Sequence, residues 1–245
     1  MKGAIVLVAL VMFGGCGGNG GDRATIYAAS SLTEAFQQLD HDARFQFGGS
    51  DELAFQIEQG ANPDVYASAS PKYTARLFSK GLVDRPRTFA TNRLVLIVAN
   101  SAGRGTSLGG IENPNLKLVL AAPGVPAGDY ARSVMAAICA HSRPYGLRPR
   151  CPSAKVVSEE PDVKGVVAKV ALGEADLGFV YATDAKAAGT KVRTVAVPAA
   201  LQPPIDYAIA VAKDPPHPGA AERFVDLVLS SKGQAALRAA GFGTP

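Results

Sequence analysis

The stretch Ile26-Tyr27-Ala28-Ala29-Ser30-Ser31-Leu32-Thr33-Glu34-Ala35-Phe36 changes its period halfway along. Thr25 to Ala28 suit a strand, whereas Leu32, Ala35, Phe36 and Leu39 fall at i, i+3, i+4 and i+7, the spacing of an amphipathic helix. Ser31 with Glu34 three residues later is a capping box, which predicts a helix starting at Ser31. A strand that runs into a serine-capped helix presents a hydroxyl and free N–H groups at one point, the outline of an anion site. A serine that only caps its own helix would leave the same pattern.

The junction recurs along the chain. Phe45-Gln46-Phe47 reads as a short strand, and Gly48-Gly49-Ser50-Asp51-Glu52 opens a helix carrying Leu53, Ala54 and Ile57 on one face. Ser50 is the expected N-cap there, and the helix should stop at Gly60. Pro63 to Ser68 gives a third strand, followed by a helix that starts at Ser70-Pro71 and ends at Gly81. Leu94 to Val98 and Leu116 to Ala121 are continuous apolar runs, the mark of strands buried on both faces. A helix is expected from about 128 to 140. Pro161-Asp162-Val163 opens another, in which Val163, Val166, Val167, Val170 and Ala171 repeat at helical spacing. Leu177 to Tyr181 reads as a buried strand, Thr183-Asp184 as the cap of a short helix, and Tyr207 to Ala212 as the last strand. Helices over 219–229 and 231–240 close the chain. This alternation predicts an α/β fold with mainly parallel sheets.

The 245 residues suffice for one large or two modest domains. A hydrophobic content of 47% with 19% charged residues is that of an ordinary globular protein. The formal charge of +4 is only mildly basic, and no cluster of Lys and Arg supports a nucleic-acid groove. His41, His141 and His217 are scattered without metal-motif spacing. Residues 1–15 read as a signal peptide, with Lys2 as its positive region and Ala4 to Phe13 as an apolar run too short to span a bilayer. The run ends at Gly14-Gly15-Cys16, which resembles a lipoprotein signal with Cys16 as the lipidated residue. A plain secretory signal is the alternative, and either one exports the protein. A glycine-rich tether covers 16–22. In an oxidising compartment Cys139 and Cys151 are expected to pair, worth about 3 kcal/mol in the chain-entropy model. Two buried free thiols are the alternative.

The turns at Ser30-Ser31, Gly49-Ser50, Pro126-Ala127 and Asp162-Val163 all place backbone N–H donors at helix starts, and ligands gather outside the carboxyl ends of strands in α/β proteins. Only Lys164 adds a basic residue beside them. Neither a phosphate-loop motif nor Gly-x-Ser-x-Gly occurs, so the junctions point to binding without chemistry.

Here the residues carry a resemblance. Ala28 to Thr33, Leu53 to Ala61 and Pro63 to Ala69 resemble the extracytoplasmic molybdate-binding proteins of ABC transporters. Val125-Pro126-Ala127-Gly128-x-Tyr130-Ala131, Asp162-Val163-Lys164-Gly165, Leu177 to Tyr181 and the closing Gly233 to Phe242 continue it in order. The resemblance covers nearly all of the chain after about residue 22. It implies a two-lobed periplasmic-binding-protein fold, with lobe one over 22–96 plus 208–245 and lobe two over 97–207. Leu94 to Val98 and Tyr207 to Ala212 would then be hinge crossovers.

By the same resemblance the ligand is molybdate, with tungstate beside it, held as a hydrogen-bonded oxyanion with no direct ligand to the metal. Ser31 and Ser50 would supply hydroxyls and N–H groups, Ala127 and Val163 backbone N–H groups, and Tyr181 a phenol. It implies a monomeric receptor with no cofactor and no enzymatic activity. Its partners would be a membrane permease and, through the lipid, the membrane surface. Asp51 departs from the pattern, standing where the family usually has a small or hydroxyl residue. An acid there suits the helix dipole but repels a dianion. The rivals are a receptor for sulfate or another tetrahedral oxyanion, and an exported enzyme on the same fold. A ferric-ion receptor would want paired tyrosines or carboxylates in the cleft, where only Tyr181 is in view.

Overall fold

The computed structural model describes residues 23–103, 107–141 and 151–245; Cys16 and the signal segment lie outside them. The chain opens with β1 (Thr25–Ala29), a 3-10 turn at Ser30–Leu32, α1 (Thr33–Leu39), β2 (Arg44–Gly48) and α2 (Ser50–Glu58). β3 (Val65–Ser68), α3 (Pro71–Ser79), β4 (Arg87–Thr91) and β5 (Leu94–Ala99) follow. Next come β6 (Lys117–Ala121), α4 (Pro126–His141), β7 (Lys155–Glu160), α5 (Val163–Ala171) and β8 (Leu177–Tyr181). The chain ends with α6 (Ala182–Ala188), β9 (Val192–Ala196), β10 (Asp206–Val211), α7 (Pro218–Leu229) and α8 (Ser231–Ala240).

Two five-stranded sheets flanked by helices give a two-lobed α/β fold, with strand orders β2-β1-β3-β10-β4 and β7-β6-β8-β5-β9. Each sheet is mixed rather than mainly parallel. β1 runs parallel to β2 and β3, and β6 to β7 and β8, because a helix carries the chain back across the sheet between these strands. β10 and β5 are antiparallel to their neighbours, because they belong to the segments where the chain passes between lobes without a crossover helix. The chain changes sheet at Asn92-Arg93 and returns over 197–205, so the boundary expected at 96/97 falls inside β5. All of β5 and β8 is buried, as their unbroken apolar runs require. β4, β7 and β9, which sequence periodicity did not reveal, lie at or next to sheet edges, where half-exposed residues blur the pattern.

One apolar cluster runs through both lobes, and a smaller one, with Leu53, Ile57, Tyr66 and Leu77, lies under α2 and α3. Phe36 on α1 packs edge-on against Phe224 on α7 at 5.2 Å and so anchors the turn after β1.

The helix starts divide into those the sequence anticipated and those it did not. Ser70 caps α3 through Lys72 N–H with Pro71 at the first position. Asp162 caps α5, taking the N–H groups of Lys164 and Gly165. The capping box at Ser31 does not form. The 3-10 turn places Leu32 before α1, and the Ser31 hydroxyl turns inward to Tyr207 at 2.8 Å. Ser50 is the first helical residue and not the cap, a position taken by Gly49. A Cβ on Gly49 would lie 2.6 Å from the Pro161 carbonyl oxygen, so the approach of the other lobe requires glycine there. Thr183 and Asp184 do not cap α6, which begins at Ala182 directly after Tyr181. Cys139, near the end of α4, is bonded to Cys151, with Cα atoms 4.4 Å apart.

Candidate functional site

Six strand ends converge between the lobes. Ser30 after β1, Gly48 to Ser50 after β2 and Ala69 after β3 face Val125 to Ala127 after β6, Asp162-Val163 after β7, and Tyr181 at the end of β8. They enclose a cavity of about 10 Å³. That is about the space of one water molecule and far below the ~300–1,000 Å³ of pockets for organic ligands, so no organic ligand fits the lobes as they stand.

Apart from the Asp162 carboxylate, which accepts from the start of α5, the walls offer neutral donors. Leu53 N–H bonds to the Gly49 carbonyl, so the first N–H groups of α2 have no backbone acceptor in the helix; those of Asp51 and Glu52 are met by the Asp51 carboxyl, which leaves that of Ser50. The Ser50 hydroxyl oxygen accepts from Ala69 N–H at 3.1 Å, which leaves its own proton to donate. Pro126 has no N–H, so Ala127 carries the first donor of α4. In α5 the Asp162 carboxylate occupies the second and third N–H groups at 2.7 and 3.0 Å and leaves that of Val163. The Tyr181 side chain is 1% exposed, and its hydroxyl has no hydrogen-bond partner. Burial, reinforced by Tyr207 and Tyr130, pushes its phenol well above the ordinary value, so it remains a protonated donor. No Lys or Arg lines the cavity.

Of the residues singled out from the sequence, Ser50, Ala127, Val163 and Tyr181 share this cavity, whereas Ser31 does not line it. Ser30 takes the wall position, and Ser31 sits behind it against Tyr207, whose hydroxyl also receives Asn92 Nδ2 at 3.4 Å. A buried tyrosine in an apolar strand carries no sequence signal of such a role. Asp51 lies beside the wall rather than in it, and its Oδ1 is buried without a partner. Burial raises the Asp51 pKa, opposed by the N–H groups of Asp51 and Glu52.

Behind Tyr181, Asp184 is fully buried with Lys164 Nζ at 3.4 Å. Burial pushes its carboxyl up to about 7, against the pull of Lys164. Contacts tie the two lobes together around the cavity. Lys72 pairs with Asp129 at 3.7 Å, and the Tyr73 hydroxyl donates to the Gly124 carbonyl. Lys164 Nζ meets Glu34 at 2.6 and 2.8 Å. Among the described residues no group of three or more His, Cys, Asp or Glu could hold a metal ion.

The family model of the bacterial extracellular solute-binding proteins matches residues 24–243. The molybdate-binding protein ModA of Mycobacterium tuberculosis is 35% identical over 92% of this chain and 86% of its own length. The corresponding protein of Haemophilus influenzae is 33% identical over 78% of each chain. The structure of the Azotobacter vinelandii periplasmic molybdate-binding protein superposes with a TM-score of 0.76, covering 91% of this chain and all of that one at 22% identity, a likeness of fold. The chain therefore belongs to the bacterial extracellular solute-binding protein family, a family of transport receptors rather than enzymes.

Proposed function

We propose that this protein captures molybdate, and tungstate by the same geometry, in the cavity between its lobes and delivers it to an ABC permease. We also propose that Cys16 carries a lipid that holds the receptor at the outer face of the membrane. The proposed ligand donors are the hydroxyls of Ser50 and Tyr181, the N–H groups of Ala127 and Val163, and the Ser30-Ser31 turn. In that turn Ser30 is at the wall and Ser31 is supported by Tyr207.

The single observation that carries the reading is the Tyr181 hydroxyl, buried and unpartnered on a cavity rimmed by helix starts. A buried hydroxyl without a partner costs about 1–3 kcal/mol, a cost removed when an anion accepts its proton. Helix N-termini and neutral donors together favour a compact dianion without a counter-charge in contact. Because nearly every group facing the cavity donates, a protonated oxyanion such as hydrogen phosphate would bury its own proton without an acceptor. Sulfate is fully deprotonated too, so only its smaller size separates it from molybdate.

Calorimetry against molybdate, tungstate, sulfate and phosphate tests the reading. Molybdate and tungstate should bind most tightly, and either one at about 100 times its Kd should raise stability by about 2.7 kcal/mol. Tighter binding of sulfate or phosphate would reassign the ligand. Cys16→Ala should release the protein from the membrane fraction or leave its signal uncleaved.

A further inference from the structure

Lys164 follows Val163, which lines the cavity, and its backbone is tied to the same turn because Asp162 takes its N–H at 2.7 Å. Lys164 itself does not line the cavity. The ammonium donates to both carboxylate oxygens of Glu34, at 2.6 and 2.8 Å, and Glu34 lies on α1 of the other lobe. It also stands 3.4 Å from Oδ1 of Asp184, which lies on α6 of its own lobe and is fully buried. Lys186, the one cation of α6, is spent on the Ala239 carbonyl at 2.5 Å. Lys164 thus answers two carboxylates, one within its lobe and one across the cleft.

The two contacts differ in what lobe movement does to them. Lys164 and Asp184 sit on helices of one lobe, and α5 and α6 pack against each other, so their pairing survives any rigid-body opening. The contact with Glu34 exists only while the lobes are together. We propose that Lys164 is a positioning residue for anion capture, pinning the Val163 turn and the first lobe together so that closure and retention of the ligand are one event. This rests on the oxyanion-receptor reading above and adds to it a residue that helps to hold the closed form beside the Lys72–Asp129 and Tyr73–Gly124 contacts. Asp184 keeps the ammonium extended at the cleft face when Glu34 departs, so the latch can re-engage without a search through rotamers.

Glu34 is 45% exposed, so the latch is weak by itself and salt-sensitive. Loss of such a pair should speed release of molybdate about 2- to 5-fold and leave the on-rate little changed. The experiment is stopped-flow release of molybdate at low and high salt from the wild type, Glu34→Gln and Lys164→Arg. Glu34→Gln should release faster at low salt and show a smaller salt dependence than the wild type, the remainder coming from the Lys72–Asp129 pair, while Lys164→Arg should keep the wild-type behaviour. A second arm reads lobe separation by energy transfer between dyes at Phe55→Cys and Leu172→Cys, positions 52% and 74% exposed on opposite lobes. In that arm Glu34→Gln should favour the open form with or without ligand. If the wild type binds no molybdate, the functional reading fails, and the dye distances still judge the latch. Wild-type release and wild-type dye distances in Glu34→Gln would overturn it.

Discussion

The two lobes have the same plan and use it differently. In each, a parallel triplet, β2-β1-β3 or β7-β6-β8, is completed by two antiparallel strands, yet the chain shows no internal sequence repeat. The first lobe brings serines and glycines to the cavity, with Ser50 oriented by Ala69 N–H. The second brings Ala127 and Val163, whose side chains have nothing to offer an anion, together with Tyr181. A donor can therefore be supplied by residue type or by place in the fold. Where place supplies it, the donor does not depend on residue type so long as the N–H remains, although burial still limits the side chain.

That comparison can be broken at Ala127. Ala127→Pro deletes the N–H and should weaken molybdate binding at least as much as losing a hydrogen bond to a charged group, about 10- to 150-fold. Ala127→Gly keeps the N–H and should stay within about twofold. In the first lobe, loss of the side chain alone should suffice. Ser50→Ala should cost about 10- to 150-fold by calorimetry, and Tyr181→Phe the same across the cleft. If Ser50→Ala and Tyr181→Phe both bind as the wild type does, the cavity is not the ligand site.

The next effect sharpens the contrast behind the wall. Because burial raises the Asp184 pKa, the folded protein holds that proton more tightly than the unfolded chain does. The stabilisation is complete below the ordinary carboxyl value of 3.8 and is lost as pH rises through about 7. The slope is at most about 1.4 kcal/mol per pH unit. Urea midpoints at pH 5 and pH 8 should show Asp184→Asn gaining on the wild type as pH rises. A constant difference would mean that Asp184 does not titrate in that window.

The smallest effect concerns the cap of the second lobe. Asp162→Ala frees two N–H groups of α5 and should cost about 1 kcal/mol of stability, read as a lower urea midpoint. Its effect on molybdate should be smaller than that of Ser50→Ala, because the Val163 N–H is untouched.

Much of the plan is legible from local patterns. The period change at Ser31, the Ser70-Pro71 and Asp162 starts and the apolar runs of β5 and β8 are set by neighbours within a few residues. What pattern reading misses depends on partners far away in the chain. Ser31 has the spacing of a capping box, but Tyr207, 176 residues on, offers its hydroxyl a buried partner, and the turn tightens instead. Gly49 looks like loop punctuation until Pro161 of the other lobe comes close to it.

By itself, then, the sequence determined the alternation of strands and helices, the donor-bearing turns and the family to which the chain belongs. The tertiary structure decided which turns meet, that Ser30 and not Ser31 reaches the wall, that both sheets are mixed, and that Lys164 and Asp184 stand behind the site. The physical reason is range. Period, caps and turn residues act over one or two helical turns, whereas burial, unsatisfied hydroxyls and charge pairing exist only once distant segments have excluded water together.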